Sequence, residues 1–508
     1  MAIIGPPLDF ETIVRVARAD EKVDIAPDVS ERMGAARRVV EELVSSGQTA
    51  YGITTGFGGL ANVRIPTDEQ ERLQRDIVRS HATAVGEPLA REVVRAMLLL
   101  RARTFAFGVS GVRFEIVERI VDLLNEGITP VVPSQGSLGA SGDLSPLAHL
   151  ALPLMGEGKA EVDGAVMPGA DALGTKNLQA LTLSFKEGLA LVNGTEMMLA
   201  LGILTYEGAL RLARAADLAG AMTLEACLGT DQAFDADLIA LRHHLGAVEV
   251  AQNLRNLLAG SEIVASHRTS EHLVQDAYSL RCIPQVHGAY RDAMDYVRTT
   301  LETELHSAID NPTVLIDRNE VLSGGNFHGE ALGLALDHLA LCLTGFGTIS
   351  ERRVARLVDA DLNNGLPAFL SKDPGRRSGF MLPQYTAASL VSENRSLSFP
   401  ASADSISTSA GQEDHVSMGA TSARKAATIL SNSEHVIAIE IMSAAQALDL
   451  RAPLEPAPAT AAARAAVRAV TAFVDEDRSL SDDIDAVREL VRDGSLVAAA
   501  EGGAGPLA

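Results

Sequence analysis

The chain has 508 residues, 47% of them apolar, and a formal net charge of −23 at pH 7. That length exceeds one ordinary core, so two or three packed units are expected. The acidic balance argues against nucleic acid or an anionic membrane surface as a partner, because both recruit basic patches.

The N-terminus, M-A-I-I-G-P-P-L-D-F, has no basic region leading into a long apolar core, so no secretory signal is expected. Cys227, Cys282 and Cys342 are too widely spaced for a disulfide framework or a zinc motif. They fit a reducing cytosol, and a cytoplasmic location is expected.

Tyr51 opens Y-G-I-T-T-G-F-G, where Gly52, Gly56, Gly58 and Gly59 permit movement as a lid. A phenol is a poor base at neutral pH unless its anion is stabilised by local charge or a helix N-terminus. Tyr51 is therefore either a base or a buried tyrosine satisfying one hydrogen bond.

Gly136 to Pro146 reads G-S-L-G-A-S-G-D-L-S-P. At its centre Ala140-Ser141-Gly142 leaves the backbone unhindered. The Gly142 amide nitrogen can attack the Ala140 carbonyl, and loss of two waters then leaves Ser141 as an exocyclic methylene. The product would be an electrophile, which ordinary side chains do not supply. The plain alternative is a Gly-Ser-Asp turn. Asp143 can assist cyclisation or cap the turn.

Ala160 to Met167 carries a hairpin signal at Asp163-Gly164. Leu189 to Met222 is apolar all round but broken by charges, and it reads as a buried core helix instead of a membrane span. Asn193 lies within it, as a helix–helix polar contact or as a site residue. His243 and His244 are adjacent and point apart on a helix; with H-E-x-x-H missing, no metal is expected. No glycine-rich phosphate loop is seen. Gln275, Tyr278 and Arg281 are three apart and would fan over one side of a helix. Arg281 offers a planar fork suited to a carboxylate, or a structural ion pair.

Pro453 to Pro458 reads as a linker before an Ala/Arg-rich helix. Ser481 is placed as an N-cap, with Asp482 and Asp483 in the first turn, Ile484, Val487 and Val491 on one face, and Gly494 closing the helix. Gly502 to Ala508 is expected to fray. Scarcity of alternating apolar runs favours a mainly α fold.

Six blocks occur together: Y-G-I-T-T-G-F-G, G-S-L-G-A-S-G-D-L-S-P, L-V-N-G-T-E from Leu191, Q-D-A-Y-S-L-R-C-I-P-Q from Gln275, S-G-G-N-F-H from Ser323 and Q-E-D-H-V-S-M from Gln412. In this order the chain resembles the aromatic amino-acid ammonia-lyase family. The resemblance implies a helical N-terminal domain bearing 4-methylideneimidazol-5-one (MIO), made from Ala140-Ser141-Gly142, and a long-helix bundle like that of fumarase and aspartase. It divides the chain at 1–190, 191–450 and 451–508. It also implies a homotetramer with shared active sites, acting on a small amino acid.

On that resemblance Tyr51 is the base, Asn193 and Tyr278 are catalytic, Gln275 and Arg281 bind substrate, and Phe327 is a wall of the site or core packing. Ser80-His81, N-F-H and Q-E-D-H resemble the histidine-selective branch, so His81 and Glu413 are expected to satisfy an imidazole. This implies conversion of L-histidine to trans-urocanate and ammonia. Thr54 is closer to the phenylalanine and tyrosine branch, and Ala277 and Gly411 replace a frequent Pro and Asn. They keep open tyrosine or phenylalanine ammonia-lyase or aminomutase activity. A scaffold whose turn never cyclises is the third alternative.

Overall fold

A computed structural model describes residues 1–60, 62–66, 69–269 and 274–508. Helix accounts for 61% and strand for 7% of the chain, so the fold is mainly α as expected. It divides into two units, each assembled from separated segments. One comprises Met1–Leu204, Arg298–Asp337 and Pro400–Arg424; the other comprises Thr205–Val297, His338–Phe399 and Lys425–Ala508. The contiguous division at 190 and 450 differs, because long helices contribute residues to both units.

Eight helices matter below. They are α1 Gln70–His81, α2 Arg91–Ala106, α3 Leu144–Ala151, α4 Glu187–Val192, α5 Glu196–Ala226, α6 Ile283–Leu305, α7 Glu330–Val358 and α8 Gly419–Leu450. In the first unit α2 is buried at every position from Val93 to Ala106, so it forms the unit's centre. A helix buried all round needs no amphipathic stripe. α1, α3 and α4 pack on one another. Gln74 of α1, fully buried, joins two of them: its Oε1 accepts from Leu189 N of α4 at 3.2 Å. The expected hairpin forms from β1 Lys159–Val162 and β2 Ala165–Pro168, with Ala160 opposite Met167. Asp163 and Gly164 take φ of 50° and 81°, as a two-residue hairpin turn requires.

The second unit is held by apolar packing and by buried carboxylates whose partners satisfy them, Glu440 among them. Val354, Ala387, Val436 and Ile439 form a buried cluster against which Ile484 packs. The Glu440 carboxylate is wholly buried, facing Arg353 at 2.5 Å, Thr223 Oγ1 at 2.8 Å and Ser350 Oγ at 2.6 Å. A buried carboxylate survives only when its lone pairs are filled in this way.

Several expectations need correction. Leu189 to Met222 is two helices, because the chain leaves helical geometry between α4 and α5 at 193–195. The end does not fray. The helix Ser495–Ala504 is complete, Leu507 is buried, and Ala508 N donates to Asn253 Oδ1 at 3.1 Å. The Pro453 to Pro458 stretch is anchored, with Ala457 N donating to Glu225 Oε1 at 2.7 Å. Pro458 starts the Ala/Arg-rich helix at N1, where its missing N–H costs nothing. Leu480, not Ser481, is the N-cap of its helix, without a side-chain bond. α7 is long and apolar enough to cross a membrane by composition, but 67% of that stretch is buried within the protein.

Candidate active site

Three helix ends of the first unit meet at one cavity of about 450 Å³. His81 is the last residue of α1, Asp143 immediately precedes α3, and Asn193 is the C-cap of α4. Packing of α1, α3 and α4 therefore fixes His81, Ser141 and Asn193 beside one another. Tyr51 and Glu413 line the same cavity.

The Ala140-Ser141-Gly142 turn is tightly held. Ala140 packs with Val416 and Met418. Gly142 has φ +78°, and a Cβ there would sit 2.0 Å from Gly194 O, so only glycine fits. Asp143 N donates to the same carbonyl at 2.6 Å. Ser141 Oγ donates to Glu413 Oε1 at 2.9 Å, and Glu413 Oε2 accepts from Thr408 Oγ1 at 2.8 Å.

Asp143 does not cap its own helix. Its Oδ2 accepts from Met197 N and Met198 N, at 2.9 and 3.0 Å, and so caps α5; its Oδ1 lies 3.0 Å from Ser137 Oγ. Complete burial outweighs these donors and pushes its carboxyl up to about 7.

Tyr51 Oη accepts from Gly58 N at 3.0 Å. Burial raises its phenol above the ordinary value and Glu413 adds to the rise, while the Gly58 N–H opposes it. Among the described residues no lysine or arginine lines the cavity, so the cationic help expected for the Tyr51 anion is not found in this unit. His81 Nδ1 lies 2.8 Å from Ile77 O, which requires that nitrogen to carry the proton. Its Nε2 is then an acceptor, and burial lowers its affinity for a second proton.

Asn193 is 2% exposed, and its Oδ1 has no hydrogen-bond partner. An orphaned buried amide oxygen asks for a ligand group. It borders the cavity together with Ser141, and the turn is glycine-tight beside it. These features fit cyclisation of Ala140-Ser141-Gly142.

Gln275, Tyr278 and Arg281 belong to the second unit and do not line this cavity. Only Tyr278 and Arg281 lie on a helix, Tyr278–Arg281; Gln275 precedes it. They still form a group, with Arg281 bonded to Gln275 Oε1 and its guanidinium 4.7 Å from the exposed Tyr278 ring. Phe327 is half-buried and outside the cavity lining. Thr54 points away as well: it accepts from Ala50 N at 2.8 Å and donates to Gln48 O at 2.9 Å. Its hydroxyl is engaged by the loop's own backbone, and it does not line the cavity.

Sequence reasoning missed the apolar wall of Phe57, Leu60, Leu144 and Leu189. Leu144 directly follows Asp143, and its place at the head of α3 was the available signal. Ser409 and Ala410, also in the lining, adopt φ of 51° and 55°, which no sequence pattern announces.

Comparison with known proteins identifies the family. The family profile described as aromatic amino acid lyase matches residues 8–469. A histidine ammonia-lyase from Symbiobacterium thermophilum is 52% identical over 504 residues, covering 99% of both chains. The crystal structure of histidine ammonia-lyase from Trypanosoma cruzi superposes with a TM-score of 0.91 at 42% identity, over 99% of this chain and 95% of that one. Tyrosine aminomutase from Streptomyces globisporus gives 0.94 at 37% identity, over 100% of both. The chain belongs to the aromatic amino acid lyase family.

Proposed function

We propose that this protein eliminates ammonia from L-histidine to give trans-urocanate, using an MIO group formed from Ala140, Ser141 and Gly142. The observation that carries the reading is the convergence of Tyr51, His81, Asn193 and Glu413 on Ser141 in one cavity. Whole-length identity near one half to a histidine ammonia-lyase supports the substrate.

The MIO group, once formed, supplies an electrophile for the substrate amine. The chain's own residues do the rest. Tyr51, held by the Gly58 amide, takes the β-proton. His81 Nε2 and the Glu413 carboxylate are both acceptors, so together they suit a protonated imidazole, which presents two ring N–H groups. A phenyl ring would leave them unpaired, so it should be rejected by a large factor. Phe57, Leu144 and Leu189 shield the site from water. The Asn193 amide bears on the ring oxygen left by cyclisation.

A substrate carboxylate needs a cation, and among the described residues the cavity lining offers no lysine or arginine. This supports a homotetramer with shared sites, in which a neighbouring copy supplies Arg281 and Tyr278. The expected cytoplasmic location remains part of the proposal and is consistent with three free thiols. Thr54 keeps tyrosine or phenylalanine as the second reading, and the whole-length identity to a histidine ammonia-lyase favours histidine over it.

The test is ultraviolet absorbance of the conjugated acid after separate incubation with L-histidine, L-tyrosine and L-phenylalanine. A rise with histidine alone is expected. A rise only with an aryl amino acid would overturn the substrate assignment.

A further inference from the structure

Arg101 and Glu196 form an ion pair that is 1% and 0% exposed. Removing such a pair from water costs more than its attraction alone returns, so its partners are informative. Arg101 donates to Asn193 O at 2.9 Å and to Ala190 O, both in the exit from α4. Glu196 opens α5 and accepts from Thr104 Oγ1 at 2.8 Å. Arg101 and Thr104 both belong to α2, so one helix grips both ends of the break at 193–195.

Gly194 lies inside that grip. A Cβ there would sit 2.1 Å from Arg101 Nη2 and 2.3 Å from Glu196 Oε2. On its other side the Gly194 carbonyl meets the Asp143 amide at 2.6 Å and excludes any side chain from Gly142. Thr195, the last residue of the break, donates to Glu304 Oε1 at 2.5 Å. The contacts thus run without a gap from the ion pair through Gly194 to the cyclising turn.

We infer that Arg101 and Glu196 are positioning residues: they press the Asn193–Gly194 break against Ala140–Gly142, and ring closure depends on that hold. The inference rests on the reading that this turn cyclises. In closure the Gly142 nitrogen bonds to the Ala140 carbonyl carbon. The carbonyl oxygen leaves as water with the protons of the Gly142 and Ser141 amides. The Ser141 hydroxyl leaves as a second water with its α-proton. No oxidant is needed, and the peptide loses the mass of two waters. The guanidinium fork matters as well as the charge, because it serves Glu196 and two carbonyls at once.

The experiment is intact-peptide mass spectrometry of the Ser141 fragment from Arg101→Lys, the double variant Arg101→Met/Glu196→Met, and Asp310→Asn, each with a thermal unfolding curve. Lys186–Asp310 is an equally buried pair in the same unit, at 2.6 Å, without a bond to the break among the described residues. Wild type lacking the mass loss would refute cyclisation itself, before the ion pair is judged. With wild type cyclised, the expected result is loss of the two-water shift in folded Arg101→Lys and in the double variant, and its retention in Asp310→Asn. Full closure in Arg101→Lys overturns the inference; if that variant does not fold, full closure in the double variant overturns it. Equal failure in Asp310→Asn overturns it too, because general destabilisation would then explain the loss.

Discussion

Ser141 Oγ donates to Glu413 Oε1 at 2.9 Å across 272 residues of sequence, so the carboxylate proposed to read the substrate ring holds the serine proposed to become the electrophile. On that proposal one residue would serve the site before and after cyclisation. Glu413→Gln keeps the shape and an acceptor oxygen but loses the charge. Activity on L-histidine should fall by about 100-fold or more, the scale on which a site with unpaired buried polar groups rejects its ligand. Steady-state kinetics with the Ser141 peptide mass measured in parallel checks this. Near-normal kcat/KM in fully cyclised Glu413→Gln would remove Glu413 from ring recognition.

Among the described residues Tyr51 is the only phenol in the cavity lining, and Tyr51→Phe removes it. Loss of a positioned base should cost roughly 10²–10⁴-fold in kcat. The pH dependence carries a sign. The folded phenol lies above its ordinary value because of burial, so only a small fraction is ionised at neutral pH. Wild-type kcat/KM should therefore climb as pH rises above neutrality, and the residual activity of Tyr51→Phe should lack that limb. A flat wild-type profile from pH 7 to about 9 would show that the tyrosine anion is stabilised from elsewhere.

The cation that would stabilise it is Arg281, on the proposal of shared sites. Arg281→Ala should raise KM strongly and reduce kcat less, since the fork contributes binding to a carboxylate in ground and transition states alike. Mixing Arg281→Ala with Tyr51→Phe protein under conditions that exchange subunits should restore part of the activity, because some sites would then have both residues. Absence of any restoration in verified mixed oligomers would mean that both residues come from one chain.

Asp143 gives a stability prediction with a defined direction. Its carboxyl moves from 3.8 to about 7 on folding. Between those values the folded protein holds the extra proton, so this group's contribution is full below pH about 4 and is lost as pH rises through about 7, at up to about 1.4 kcal/mol per pH unit. Asp143→Asn cannot titrate. The difference in unfolding free energy between wild type and Asp143→Asn should move against wild type across that window. A constant difference would show that the Met197 and Met198 amides hold Asp143 ionised throughout.

What could be read from sequence divides along physical lines. The hairpin at Asp163-Gly164 was legible because a two-residue turn needs positive φ and names its own residues. Tyr51, Ser141, Asn193 and Glu413 were legible because each lies in a motif block, and His81 from the Ser80-His81 pair; all five line the cavity. The break at 193–195 falls on Asn193-Gly194-Thr195, a turn-forming triplet whose signal is outweighed by the long apolar runs on either side, and Arg101 donates to Asn193 O there. The anchored C-terminus was hidden because the small residues of Gly502 to Ala508 look free until Asn253 and Arg291 are placed beside Ala508.

Gly142→Ala and Gly164→Ala together separate steric fit from backbone strain. The two glycines have nearly the same φ, +78° and +81°, so alanine pays a similar left-handed penalty, about 1–2 kcal/mol, at each. They differ in surroundings. Nothing lies within 4 Å of a Cβ on Gly164, whereas a Cβ on Gly142 would be 2.0 Å from Gly194 O. Gly164→Ala should therefore lose only that modest stability and keep full activity and full cyclisation. Gly142→Ala should push the turn off the Asn193–Gly194 break, leave the Ser141 peptide at its uncyclised mass and abolish turnover. Thermal unfolding and peptide mass on the same preparations check both arms. Normal cyclisation in Gly142→Ala would mean that the close approach of Gly194 is not what brings the Gly142 nitrogen to the Ala140 carbonyl, and the geometric account of the turn would fall with it.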